Sequence, residues 1–223
     1  MSTAAAADAT APASPLFIDV VSDVVCPWCY IGKRKLELAL ARLGHGPAVT
    51  VRWHPFELNP DMPAQGMPRA SYIEAKFGDA TRSDAIYARV RAVGAEIGIA
   101  FAFERIRLQP NTLDAHRLIA WAQQRGDAQA LVERVFRAYF IDGRSIGETD
   151  ELATLAADAG LPSDEARAML ASDAYRGEVE AEVREARDSG ISGVPFFIFN
   201  GRTAVSGAHD PDTLLEAITA ARS

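Results

Sequence analysis

Apolar positions change period along this chain, and the changes divide it into three parts. Leu16-Phe17-Ile18-Asp19-Val20-Val21 is a β-branched run of strand length, after which Leu36, Leu40 and Leu43 recur at helical spacing. Ala48 to Phe56 returns to strand, with Val49, Val51 and Trp53 predicted on one face. Glu57-Leu58-Asn59-Pro60 and a Pro/Gly-rich connector to Pro68 end this β-α-β part. From about Ser71 to Asp188 the pattern predicts helix alone. Ile86, Val90, Val93 and Ile97 mark one face, and Ala115, Leu118, Ile119 and Ala122 a second behind Thr112 as N-cap. Leu131, Val132, Val135, Phe136 and Tyr139 make a third, and Leu152, Leu155, Ala156 and Ala159 a fourth that Gly160 and Pro162 stop. A short helix around Met169-Leu170 precedes a longer one through Tyr175, Val179, Val183 and Ala186, closed by Gly190. Ile191 to Phe199 then reads as strand, Asn200-Gly201 as a type I′ turn, and Thr203-Ala204-Val205 as the returning strand. Asp210 and Pro211 open a last helix with Leu214, Leu215 and Ile218 inward. The order is β-α-β, helical block, β-β-α, and the unequal helix lengths exclude a solenoid.

Composition adds little beyond a globular protein: 48% hydrophobic and 24% charged residues suffice for a core and leave no room for a disorder-dominated chain. The net charge of −7, with basic residues dispersed, argues against a nucleic-acid surface. Met1 to Ser14 is rich in Ala, Ser, Thr and Pro but lacks the charged start and apolar core of a signal peptide, so a flexible tail over residues 1–15 and a cytoplasmic location are expected. No run reaches the roughly 18 apolar residues that span a bilayer, so no membrane partner is expected.

The candidate chemistry is Cys26-Pro27-Trp28-Cys29, which holds the only two cysteines and lies where strand gives way to helix. A helix N-terminus offers unpaired N–H groups and the positive end of the dipole, both of which favour a thiolate at Cys26. Cys29, within the first turn, can attack a mixed disulfide on Cys26 and resolve it. Half a zinc site is the first competing reading, but His45, His54, His116 and His209 show no paired ligand spacing, and no metal is expected. A structural disulfide is the second, although so short a loop removes little unfolded-chain entropy. Trp28 is expected to be exposed as a contact surface, and Pro27 to stiffen the turn. Lys33-Arg34-Lys35 reads as a solvated helix face, with electropositive support for Cys26 as the sharper alternative. His54, His116 and His209 are titratable near neutrality and are candidate proton shuttles or merely packed and solvated side chains.

Several separated motifs occur together: Ser22-Asp23-x-x-Cys26-Pro27-Trp28-Cys29-Tyr30, Phe56-Glu57-Leu58-Asn59-Pro60, Asn111-Thr112-x-x-Ala115-His116 and Gly193-Val194-Pro195-Phe196-Phe197. In this order, from Leu16 to Ala221, the chain resembles the DsbA family and within it the FrnE-like branch, related to 2-hydroxychromene-2-carboxylate isomerases. The resemblance implies an α/β, thioredoxin-like fold over residues 16–62 and 189–223, with a helical insertion over 63–188. It also implies that the Val194–Pro195 bond is cis and faces the cysteines, with Pro27, Trp28, Val194 and Pro195 lining the substrate site. The implied activity is thiol–disulfide exchange or isomerisation on protein or peptide substrates, with no tightly bound cofactor and glutathione as a redox partner. The alternative is a glutathione-dependent isomerase or transferase of a small aromatic or polyketide-derived molecule, its glutathione near Val194, Pro195 and Ala208-His209-Asp210. Relatives of that kind typically replace the nucleophilic cysteine, whereas this chain keeps both. A third possibility is a peptide-binding module without redox turnover.

Overall fold

Strand β1 (Leu16–Ser22) runs through the middle of a four-stranded sheet, flanked by β2 (Val49–Pro55) on one side and by β5 (Phe196–Phe199) and then β6 (Thr203–Ser206) on the other. The computed structural model describes residues 15–43, 48–78 and 80–222, so the expected tail over 1–15 lies, apart from Pro15, outside it. Helix α1 (Pro27–Arg42) carries the chain from β1 to a parallel β2, while β1–β5 and β5–β6 are antiparallel. Registers of Val20 with both Trp53 and Phe197 put these three on one face, and all are buried. That face, with Ile18 and Phe199, forms the core; helix α9 (Pro211–Ala220) packs alongside α1. The β5–β6 turn has positive φ at Asn200 (50°) and Gly201 (65°), as a type I′ turn requires.

Between β2 and β5 the chain forms β3 (Met67–Pro68), α2 (Arg69–Phe77), α3 (Ala80–Glu96), a 3-10 turn (Phe103–Arg105), β4 (Leu108–Gln109) and α4 (Leu113–Gln123). Then come α5 (Gln129–Arg137), which widens into a π turn (Ala138–Asp142), α6 (Thr149–Asp158), α7 (Ser163–Leu170) and α8 (Arg176–Asp188). The fold is therefore thioredoxin-like with an α-helical insertion. Tyr30, directly after Cys29, stacks on Phe136 at 5.1 Å and meets Phe101 edge-on at 6.0 Å, so the insertion core is continuous with α1. At the β2 edge, Trp53 N–H donates to Gln123 Oε1 (2.6 Å) and Gln123 Nε2 donates to Trp53 O (3.0 Å), a side chain standing in for a missing strand.

Four expectations need correction. The helix-only block contains β4, which pairs with β3 just ahead of the block, Met67 opposite Gln109, a ribbon too short to leave a periodic signal. On α3 the buried residues include Ser83, Val90 and Gly94, with Tyr87 and Val93 half-buried, as is Ile97 just past its end, whereas Ile86 is exposed. Thr112 occupies the N-cap position of α4 but makes no side-chain cap; Asn111 Oδ1 instead accepts from Leu113 N–H (2.9 Å). Strand β5 begins at Phe196, not Ile191, since Pro195 has no N–H to give to a ladder.

Candidate active site

Strand β1 ends at Ser22, and the turn to α1 is closed by the Cys26 N–H donating to Asp23 O (3.0 Å). Cys26 is the N-cap residue in extended conformation, Pro27 follows at the first helical position, and no side chain caps the N-terminus. Nor does the first turn hold an acidic residue. The sulfur of Cys26 therefore sits where a helix favours negative charge. Cys29 N–H bonds to Cys26 O (3.0 Å), which holds both thiols in one turn, and both are free and buried. Cys26 Sγ lies 3.6 Å from Val194 O as donor to acceptor, and Val194–Pro195 is cis, so the loop before β5 faces the thiol. Of the residues expected at the substrate site, Pro27, Trp28 and Val194 are half-buried and Pro195 is buried. Trp28 is thus not the exposed surface the sequence suggested: its ring packs against the core and only part of it reaches solvent.

The two cysteines differ in surroundings. Burial pushes the Cys29 thiol well up and the neighbouring Cys26 adds to this, while the Ser22 hydroxyl and the Asp23 backbone N–H act in the opposite sense. Asp23 is fully buried, and its carboxylate accepts from Val25 N–H (3.3 Å) and Leu58 N–H (2.8 Å), tying the loop after β2 to the cysteine turn. His116 lies behind it, with Nε2 donating to Phe56 O (3.2 Å) and 3.6 Å from Asp23 Oδ1. The structure therefore gives His116 a buried packing position near the turn. His54 bridges Asp19 (2.9 Å) and Glu182 of α8 (3.0 Å), and His209 is exposed.

Lys33-Arg34-Lys35 is not a solvated face. Lys33 is only 3% exposed and pairs with Glu37 and with Glu133 of α5 (2.7 Å), and Arg34 donates to the same Glu133 (2.9 Å), as does the Tyr30 hydroxyl (2.8 Å). Lys35 meets Asp210 (2.6 Å) and Ala208 O (3.2 Å) at the start of α9. The expected anion-binding turn at Ala208-His209-Asp210 thus already holds an internal ion pair.

One contributing residue carried no sequence signal of its own. A Cβ on Gly32 would lie 2.8 Å from Pro195 Cγ and 3.1 Å from Phe197 Cζ, so glycine lets α1 approach the loop facing Cys26. Ser22 and Asp23 belong to the motif quoted above, but their burial against Cys29 and Leu58 emerges only with the fold.

A family model for the DSBA-like thioredoxin domain matches residues 17–219. The crystal structure of a "probable DsbA oxidoreductase" from Streptomyces coelicolor is 37% identical, with a TM-score of 0.84 over 92% of this chain and 89% of that one. The uncharacterized protein YwbO of Bacillus subtilis is 29% identical over 203 residues, 91% of this chain and 95% of its own. A 2-hydroxychromene-2-carboxylate isomerase structure shares the fold at 16% identity, with a TM-score of 0.67 over 92% of this chain and 93% of that one. Among the described residues no helix is long and apolar enough to cross a membrane.

Proposed function

The chain belongs to the DSBA-like thioredoxin domain family, and from that premise we propose that it exchanges disulfides with protein or peptide substrates through Cys26 and Cys29. The observation that carries the reading is the placement of Cys26 at an uncapped helix N-terminus, its sulfur toward Val194 O, with Cys29 buried one turn behind. In the reducing direction the Cys26 thiolate attacks a substrate disulfide: a Cys26–substrate bond forms and the substrate's own S–S bond breaks. Cys29 then attacks Cys26 Sγ, the enzyme disulfide forms and the second substrate sulfur leaves. Oxidation runs the same steps backwards. Cys26 is only 4% exposed, which favours thin partners such as an unfolded segment or a small disulfide over a rigid folded surface. Val194 and Pro195 on one side and Pro27 and Trp28 on the other are the residues assigned to receive them. Glutathione is the small thiol assigned to return the pair to its starting state.

Glutathione-dependent isomerisation of a small aromatic molecule is the weaker reading. This chain keeps a cysteine at position 26, and Lys35 and Asp210 already neutralise each other at the turn assigned to glutathione's carboxylate. The test is turnover of a disulfide-bonded unfolded protein together with the reduction potential of the pair against glutathione. Turnover should vanish in Cys26→Ser; survival of function without Cys26 would identify a binding module instead.

A further inference from the structure

Cys29 is 1% exposed, so the proton it must lose before attacking Cys26 has to leave through the protein. Two buried side-chain polar atoms on neighbouring strands lack hydrogen-bond partners among the described residues: Ser22 Oγ, at the end of β1, and Trp53 Nε1, on β2. Both residues line the same cavity of about 20 Å³, which has room for one water molecule. Its other polar walls are His54, His116, Gln123 and Glu182. Gln123 is committed to the Trp53 backbone, and Glu182 is 42% exposed at the rim. The Ser22 hydroxyl is near enough to the Cys29 sulfur to favour its thiolate although it makes no formed hydrogen bond. Buried polar groups of this kind are normally satisfied by protein or by ordered water.

We propose that Ser22 and one water held in this cavity carry the Cys29 proton toward the His54–Glu182 pair when Cys29 resolves the mixed disulfide. The inference rests on the thiol–disulfide reading above. In the resolving step Cys29–SH and Cys26–S–S–R give the Cys26–Cys29 disulfide and R–SH. Cys29 is oxidised, Cys26 stays at the disulfide level, and the substrate sulfur is reduced, leaving with the bonding electron pair and taking a proton from solvent to replace the one released inward. Ser22 hands that proton to the water, whose second partner is Trp53 Nε1, and the rim passes it out. Val25 and Leu58 N–H groups occupy the Asp23 carboxylate and both ring nitrogens of His54 are engaged by Asp19 and Glu182, so the outlet at the rim is the half-exposed Glu182 carboxylate. The titratable and charged groups facing the route are Cys26 and Asp23 from the turn, Asp19 from β1, Arg52 and His54 from β2, His116 from α4 and Glu182 from α8.

A chromogenic aromatic disulfide separates the steps, since attack by Cys26 releases one coloured thiolate and resolution by Cys29 releases a second. In Ser22→Ala the second release should slow severalfold relative to the first, and its pH midpoint should move upward. Ser22→Thr should restore both, and Trp53→Phe, which keeps a ring but removes Nε1, should slow the second release by a smaller factor. Thermal unfolding of each variant shows that the comparison is made on folded protein. A second release in Ser22→Ala at the parent's rate and pH midpoint would overturn the relay. No first release from the parent protein would instead overturn the functional reading on which it rests.

Discussion

The insertion is fastened to the thioredoxin-like core at two ionic sites of opposite character. At the first, Glu133 of α5 receives Lys33, Arg34 and the Tyr30 hydroxyl, all from the helix that begins at Cys26. Burial alone would raise the Glu133 carboxyl, but Lys33, Tyr30 and Arg34 overcome it and hold the group below its usual range. At the second, His54 of β2 spans Asp19 and Glu182, and Arg52 meets the same Asp19 oxygen at 2.7 Å. The bond to Glu182 chiefly raises the His54 pKa, against burial and with help from Asp19. The first site joins a carboxylate held below its usual range to lysine and arginine, whereas the central cation of the second is an imidazolium, lost as pH rises through its raised pKa. Of the two, the first lies on the cysteine helix.

The largest test of that contrast is Glu133→Ala. It leaves Lys33 buried with only the half-exposed Glu37, so unfolding should be easier by about 3 kcal/mol, read by denaturant titration. A loss under about 0.5 kcal/mol, the size of a surface pair, would show that the network is not a fastening. Next is Gly32→Ala, which leaves both ionic sites intact but wedges α1 from Pro195 and Phe197. Overpacking should cost about 2 kcal/mol, partly offset by alanine's better helix propensity, and should slow Cys26 alkylation or exchange. Unchanged stability and exchange would mean that the close approach there is dispensable.

The smallest effect belongs to His54. Its folded pKa is raised, so the folded state holds the proton more tightly than the unfolded state. The associated stability is complete below the unfolded value near 6.5 and is lost as pH rises through the folded value. His54 is 36% exposed, which screens the pair to about 0.5 to 1 kcal/mol. His54→Gln should remove that pH dependence, and Glu133→Ala should keep it. The reverse pattern in pH-resolved unfolding curves would exchange the roles of the two sites.

These fastenings also mark where sequence reading runs out. An apolar run located β1, alternation located β2, helical spacing located α1 and α9, and Asn200-Gly201 located the β5–β6 hairpin, because each of these signals is local. The cysteine turn was legible too, since Cys26, Pro27 and the strand-to-helix change are local. Lys33-Arg34-Lys35 looked solvated because Glu133 lies about a hundred residues away, beyond any local pattern. Gly32 reads as an ordinary weak helix residue until Pro195 is placed against it, and Trp28 looked exposed because the core it meets comes from another part of the chain. Ser22 and Trp53 likewise share a cavity only once β1 and β2 are paired.

The most direct test of the central claim, that Cys26 attacks and Cys29 resolves, is covalent trapping with a disulfide-bonded unfolded protein, read by mass spectrometry. Cys29→Ser should accumulate a substrate adduct on Cys26, because the buried partner that would release it is gone, and Cys26→Ser should form almost none. Equal trapping by the two variants, or adducts on Cys29 in the Cys26→Ser protein, would contradict the assignment.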